Sequence, residues 1–367
     1  MKSDVILVGG GVVGLSLAWE LSRRGVRVTL LERGELGQEA SWAGAGILPP
    51  ANRATAVHPY DQLRGLSLEL YPRWSAQLTA ETGIDNGFRA CGGVYLATKA
   101  GEAAALHGLY GECVEQEIPA RRLSAAEIAA LEPALAVADV KAAYELPGEC
   151  QLRNPRHLQA LVAACRLSGV EFVTECEVVG WRTSNSRVTA VETTRGEFAA
   201  AKYCVTAGSW TQRLLAAIGV STGIVPIRGQ IILYKLPQRV FTRVINEGSR
   251  YLVARDDGYV LAGATEEEAG FDKSTTPEAF ADLSAFALAR VPALKDAVVE
   301  RTWAGLRPGS FDSLPYLGRL PQFADVFVAA GHFRSGLYLS PATAVVMSQL
   351  LCDERPEIDL APFGVLR

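Results

Sequence analysis

A chain of 367 residues exceeds what one small core organises and argues for two domains. With 36 Lys plus Arg against 40 Asp plus Glu, the net charge of −4 excludes the basic footprint of a nucleic-acid binder and points to a small-molecule partner. No stretch approaches the roughly 20 apolar residues of a transmembrane segment, no signal-peptide cleavage site follows the N-terminal run, and the seven cysteines form no C-x-x-C pair, so a cytoplasmic protein with reduced thiols and no metal site is expected.

The first segment, "DVILVGGGVVGLSLAWELSRRGVRVTLLER", reads as strand, tight turn, helix and strand. Val5 to Val8 suit a strand buried on both faces, and Gly9, Gly11 and Gly14 complete a G-x-G-x-x-G turn. Gly9 permits the turn, Gly11 lets a pyrophosphate approach the backbone, and Gly14 lets the helix pack closely on the sheet. The helix start offers unpaired N–H groups and a positive dipole end to phosphates. Glu32, 18 positions after Gly14, ends the second strand where an acid can accept hydrogen bonds from a ribose.

NAD and FAD both fit that fingerprint. The next segment, "GELGQEASWAGAGILPP", is crowded with Gly, Ala and Ser from Gly34 to Gly46 rather than continuing the sheet. Backbone of that kind can come very near a flat ring, which favours FAD.

The sheet is expected to resume after Arg153 as a helix, turn-broken strands that include Val178, and a last strand into Ala207 and Gly208. Around residues 85–147 lie "GGVYLAT" and two Ala/Glu-rich helical patterns; residues 217–303 hold "RGQIILYK" and "RYLVARDDGYVLAGAT", whose Asp257-Gly258 pair predicts a hairpin turn. A helix capped by Thr276, with Pro277 at its first position, follows. These two inserts are expected to build one antiparallel sheet. The third return is "VFVAAGHFRSGLYLSPAT": a strand at Val326 to Ala330, then Arg334, then a helix from Ser340-Pro341 or nearer Gly336. Arg334 at the end of a buried strand is costly unless paired.

Together "GGGVVG" with Glu32, "EASWAGAGIL", "VTAGSW", "WAGLRPGSFDSLPYLGR" and "AAGHFRSGLYLSPAT" resemble the D-amino acid oxidase family of flavoproteins nearly end to end, closest to its branch in bacterial thiamine biosynthesis. The resemblance implies an α/β (α+β) fold, with non-covalent FAD in a split Rossmann-type domain (1–84, 148–216 and 304–367) and a smaller antiparallel-sheet substrate domain (85–147 and 217–303). It places Val12 and Val13 at the pyrophosphate, Glu32 and Arg33 at the ribose, and Ala40 and Ser41 by the phosphate and ribityl groups. Ala45, Gly46 and Ile47 fall beside the flavin ring, Val178 by the adenine, and His332, Phe333, Arg334, Ser335, Gly336, Leu337 and Tyr338 along the pyrimidine edge. Arg307, Arg334 and Tyr251 match substrate-holding positions. Ser335 stands where relatives often carry Asn, and Trp42-Ala43-Gly44 replaces a run of small residues.

The chemistry so implied is oxidative deamination of glycine and other small amines such as sarcosine and D-amino acids. Hydride passes to the flavin and dioxygen is reduced to hydrogen peroxide; imine, oxo acid and ammonia result. No acid/base residue is required. A planar guanidinium meets a carboxylate with two parallel hydrogen bonds, which favours Arg307, with the Tyr251 hydroxyl beside it. The alternatives are a structural ion pair for either arginine and a sheet-surface tyrosine. His332 reads as a flavin contact rather than a base, Trp303 as cavity wall or core, and Glu266 to Glu268 as a solvated turn. A D-amino acid or sarcosine dehydrogenase and a non-catalytic flavin-binding module are the competing functions, and the resemblance makes a homo-oligomer, a tetramer, reasonable. One methylene changes discrimination by only about 1–3 kcal/mol, so the sequence does not rank the amines.

Overall fold

The computed structural model describes residues 3–367. Ser3–Val8 is the centre of a six-stranded sheet, pairing in parallel with Val28–Leu31 on one side and Ala200–Val205 on the other. Glu171–Val173 extends one edge; Val326–Ala330 and then antiparallel Tyr316–Arg319 extend the other. The central strands Val28–Leu31 and Val326–Ala330 are apolar runs buried along their whole length and Ser3–Val8 along most of it, so they are covered on both faces, whereas the edge strands Glu171–Val173 and Tyr316–Arg319 are partly exposed. Helices Val12–Arg23, Asn154–Leu167 and Gly336–Leu351 pack on one face. The three-stranded sheet Val178–Ser184, Arg187–Thr193 and Gly196–Phe198 shares a core cluster with the other.

The helix Gly336–Leu351 settles the ambiguity over its start: it begins at Gly336 and carries Pro341 inside. A proline there cannot donate to the carbonyl four residues earlier. That carbonyl, Leu337 O, accepts the buried Tyr71 hydroxyl from the long helix Pro59–Thr82, so the lost backbone bond is replaced by a side chain.

The second sheet has eight strands in the order Val298–Gly309, Val225–Lys235, Tyr259–Gly263, Arg250–Ala254, Val244–Glu247, Gly93–Ala97, Ala142–Leu146 and Arg121–Arg122. All neighbours are antiparallel except Val244–Glu247 with Gly93–Ala97, the seam where the two sequence inserts meet and no hairpin constrains direction. The Asp257-Gly258 turn forms as expected, with Gly258 at φ +82°. Helix Pro277–Arg290 covers the outer face, and the Thr276 hydroxyl accepts from Ala279 N at 3.3 Å. Among the described residues no helix is long and apolar enough to cross a membrane.

Candidate active site

A cavity of about 620 Å³ runs from the glycine turn of the first sheet to the inner face of the second, within the roughly 300–1,000 Å³ typical of ligand sites. It is lined by every candidate residue of the sequence reading except Gly14. Gly14 acts from behind: a Cβ there would stand 2.0 Å from Gly9 O, so its absence lets helix and turn touch. Gly9, at φ +117°, passes Thr206 so closely that a Cβ would meet its carbonyl oxygen at 2.6 Å.

At this end the Ser41 hydroxyl accepts from Val12 N at 2.9 Å, in the first turn of helix Val12–Arg23. Glu32 accepts from Gly10 N at 2.7 Å and Gly34 N at 3.0 Å. The carboxylate is thereby fixed at the strand end with acceptor capacity left for a ribose. Arg33 stacks over Trp210 at 3.7 Å and pairs with Glu39 at 2.9 Å. Val178 and Cys176 line the cavity beyond it.

The segment Ser41 to Gly46, which opens in the short helix Ala40–Ala43, has its carbonyls tied by groups of other elements. Ser41 O accepts from Asn154 Nδ2 at 2.8 Å, Ala43 O from Trp303 Nε1 at 3.1 Å, Ala45 O from Arg255 Nη2 at 2.7 Å and Gly46 O from Leu152 N at 2.9 Å. Gly46 sits at φ +76°, and a Cβ would fall 1.9 Å from Leu152 O. Trp303 is thus an anchor of the loop, edge-on to Trp42 at 5.3 Å, and not a lining residue. The buried Oδ1 of Asn154 has no partner although Asn154 lines the cavity. An unpartnered buried acceptor, glycine cradles at both turns and a fixed acid at the ribose position together suit a dinucleotide with a flat ring system.

On the second sheet, register builds the far wall. Tyr95, Asn246, Tyr251, Gly263, Ile231 and Trp303 are successive cross-strand partners, one row across six strands. Gly263 makes room for the Tyr251 ring, since a Cβ would stand 2.7 Å from its hydroxyl. Gly229 does the same for Arg307, whose guanidinium lies over it and donates from Nη1 to Thr265 O at 3.0 Å. Burial, with repulsion from Arg334, holds the Arg307 guanidinium below its ordinary range, while Tyr251 and Glu266 favour its charge. Burial pushes the Tyr251 hydroxyl up, and Arg307 and Arg334 oppose that.

Two expectations need correction. Arg334 lines the cavity but is not a buried cation: its side chain is 47% exposed and pairs with Glu266. Its strand ends at Ala330, and the short helical turn Phe333–Ser335 carries it out to the rim. Nor is Glu266 to Glu268 simply a solvated turn, because Glu267 pairs with the buried Arg228 at 2.6 Å. His332 lines the cavity and is buried, its Nε2 hydrogen-bonded to Thr343 Oγ1 at 3.1 Å, with burial pulling its pKa to about 3. A ring that stays neutral at physiological pH is a poor proton acceptor.

Sequence reasoning missed Asn154, Trp210 and Asn246 among the lining residues. Asn154-Pro155 was readable as a helix start, whereas the other two depend on contacts between distant segments.

The glycine turn, the fixed Glu32 and the glycine-rich ring loop define an FAD-dependent oxidoreductase, and residues 4–350 match the family model "DAO: FAD dependent oxidoreductase". The chain belongs to this DAO family. It is 37% identical to a glycine oxidase of Pseudomonas aeruginosa over 99% of both chains. The crystal structure of glycine oxidase from Geobacillus kaustophilus superposes with a TM-score of 0.95 at 33% identity, over 100% of this chain and 99% of that one. A bifunctional protein ThiO/ThiG of Trichormus variabilis is 31% identical over 100% of this chain and 55% of its own length.

Proposed function

We propose that the protein oxidatively deaminates glycine and comparable small amines, sarcosine and D-amino acids included, under air. One observation carries the reading: the Arg307 guanidinium is half-buried over Gly229, opens on the cavity beside Tyr251, donates to the backbone carbonyl of Thr265, and pairs with no carboxylate among the described residues. A carboxylate completes its hydrogen bonding in the bidentate geometry that Lys lacks.

Arg307 takes the substrate carboxylate, and the Tyr251 hydroxyl donates to the same group. Gly229 and Gly263 keep that wall thin, and the Ser41 to Gly46 loop closes the opposite side. The glycine turn, Glu32 and the Ser41 to Gly46 segment would hold FAD, which would supply the hydride-accepting ring and the route for electrons to dioxygen. His332, neutral and bonded to Thr343, leaves the substrate amine to enter without a protein base. The imine then hydrolyses to oxo acid and ammonia.

Non-covalent attachment is supported by the cysteines. Cys91 packs in the cluster behind Ala45 without lining the cavity, Cys352 caps the last helix, and the lining Cys176 neighbours Val178. All seven thiols are free, which supports the cytoplasm. The proposed split into 1–84, 148–216 and 304–367 against 85–147 and 217–303 is supported by the two large sheets: all six strands of the first fall in the former set and seven of the eight strands of the second in the latter, while Val298–Gly309 straddles the last division. Exposed Phe280 and Leu288 on helix Pro277–Arg290 and Val298 and Val299 on strand Val298–Gly309 support a homo-oligomer.

The test is peroxide production with glycine, sarcosine and D-alanine by the yellow protein. Peroxide at steady state with any of them supports the oxidase. Reduction of an artificial dye without peroxide would replace it with a dehydrogenase, and failure of all three to bleach the flavin would leave a non-catalytic module.

A further inference from the structure

Arg255 is a buried cation that the mechanism above does not use. It is 7% exposed at the end of strand Arg250–Ala254, and among the described residues no carboxylate pairs with it. The acids of its own turn are engaged elsewhere: Asp256 with Arg89 and Arg239, and Asp257 with Arg153 at 2.6 Å. Its guanidinium instead donates to Gln151 Oε1 at 2.6 Å and Ala45 O at 2.7 Å, both neutral. Burial, then Arg153 and Arg89, pull its pKa down to about 10, which still leaves it charged at neutral pH.

A buried charge without a counter-ion is costly, so its retention calls for a compensating partner. The peptide it touches faces the cofactor cavity, since Ala45 and Gly46 line it while Arg255 does not. In a trans peptide the C=O and the following N–H point opposite ways. With Ala45 O drawn back to Arg255, the Gly46 N–H is turned forward and its donor strength raised. We propose that Arg255 is an electrostatic positioning residue that, through the Ala45–Gly46 peptide, directs positive potential at the flavin ring and stabilises its reduced state. Hydride uptake brings two electrons with one proton and so adds one negative charge to the site, which this potential offsets. The inference rests on FAD occupying the cavity, and a parent protein without bound flavin would overturn that premise instead.

The readout is the midpoint potential of the bound flavin against reference dyes. Arg255→Met removes the charge, while Gln151→Glu leaves the arginine and supplies the missing anion. Both are expected to lower the equilibrium constant for two-electron reduction at least tenfold, about 30 mV more negative. Arg255→Lys, which keeps the charge, should stay within threefold of the parent. Either Arg255→Met or Gln151→Glu remaining within threefold, with FAD bound, overturns the proposal; so does Arg255→Lys shifting as far as Arg255→Met, because shape rather than charge would then matter. If Arg255→Met does not fold, Gln151→Glu decides alone.

Discussion

The guanidinium of Arg307 lies across the Cα of Gly229, so that a Cβ added there would stand 2.1 Å from Nη1 and 2.5 Å from Nη2. The clash is with the far end of a flexible side chain, not with backbone. Gly229→Ala should therefore fold with little change in Tm but push Arg307 out of place. A displacement near 1 Å can cost up to about a hundredfold in rate. We expect kcat/KM for glycine to fall by roughly ten- to a hundredfold with FAD content intact; a value within twofold of the parent would mean that Arg307 has slack the packing does not suggest.

That contact illustrates how far the sequence carries. Gly9, Gly11, Gly14 and Glu32 were readable because their meaning lies in local spacing, and Arg307, Tyr251 and the ring loop followed from motif resemblance. Gly229 and Gly263 were not readable as site residues, since what they accommodate comes from other strands of the sheet. The exposure of Arg334 depends on Glu266, 68 residues away, and the tether on Ala45 on Arg255, 210 residues away. The long helix Pro59–Thr82 had only Pro59 and Gly83 to mark it, because its apolar positions serve two neighbours rather than one clear stripe.

Arg334 and Arg307 should behave differently when truncated. The Arg334–Glu266 pair is largely solvated, and such pairs contribute about 0–1 kcal/mol. At about 1.4 kcal/mol per tenfold, Arg334→Ala is expected to reduce kcat/KM for glycine by no more than roughly fivefold, and less at high salt. A loss of a hundredfold or more would show that Arg334 turns inward and grips the substrate itself.

Glu149 gives the fold a pH signature. Its carboxyl is fully buried, accepts from Tyr95 at 2.5 Å and Asn246 at 3.1 Å, and burial raises its pKa from 4.5 to about 7 against the opposing effect of those two bonds. The native state therefore holds this proton more tightly than the unfolded chain does. The contribution is complete below about pH 4.5 and is lost as pH rises toward 7. At about 1.36 kcal/mol per pKa unit, the full loss is about 3 kcal/mol. Unfolding of Glu149→Gln and the parent, measured by denaturant between these limits, should show the parent losing stability relative to the variant as pH rises. Parallel curves would place the Glu149 pKa near its ordinary value.

Arg307 itself gives the sharpest test of the substrate reading. Removing one partner of a desolvated, hydrogen-bonded charge pair costs roughly 2–5 kcal/mol. Converted at about 1.4 kcal/mol per tenfold, Arg307→Ala should lower kcat/KM for glycine by roughly 30-fold to a few thousandfold while FAD stays bound. Arg307→Lys should recover little, because an ammonium cannot reproduce two parallel bonds from one plane. An amine without a carboxylate should be affected far less by either change, since it never engages the guanidinium. That contrast separates a carboxylate clamp from a merely structural arginine, whose loss would depress both substrates alike. If Arg307→Ala turned over glycine within a few-fold of the parent with unchanged flavin content, the clamp would have to be reassigned to Arg334, swinging in from Glu266.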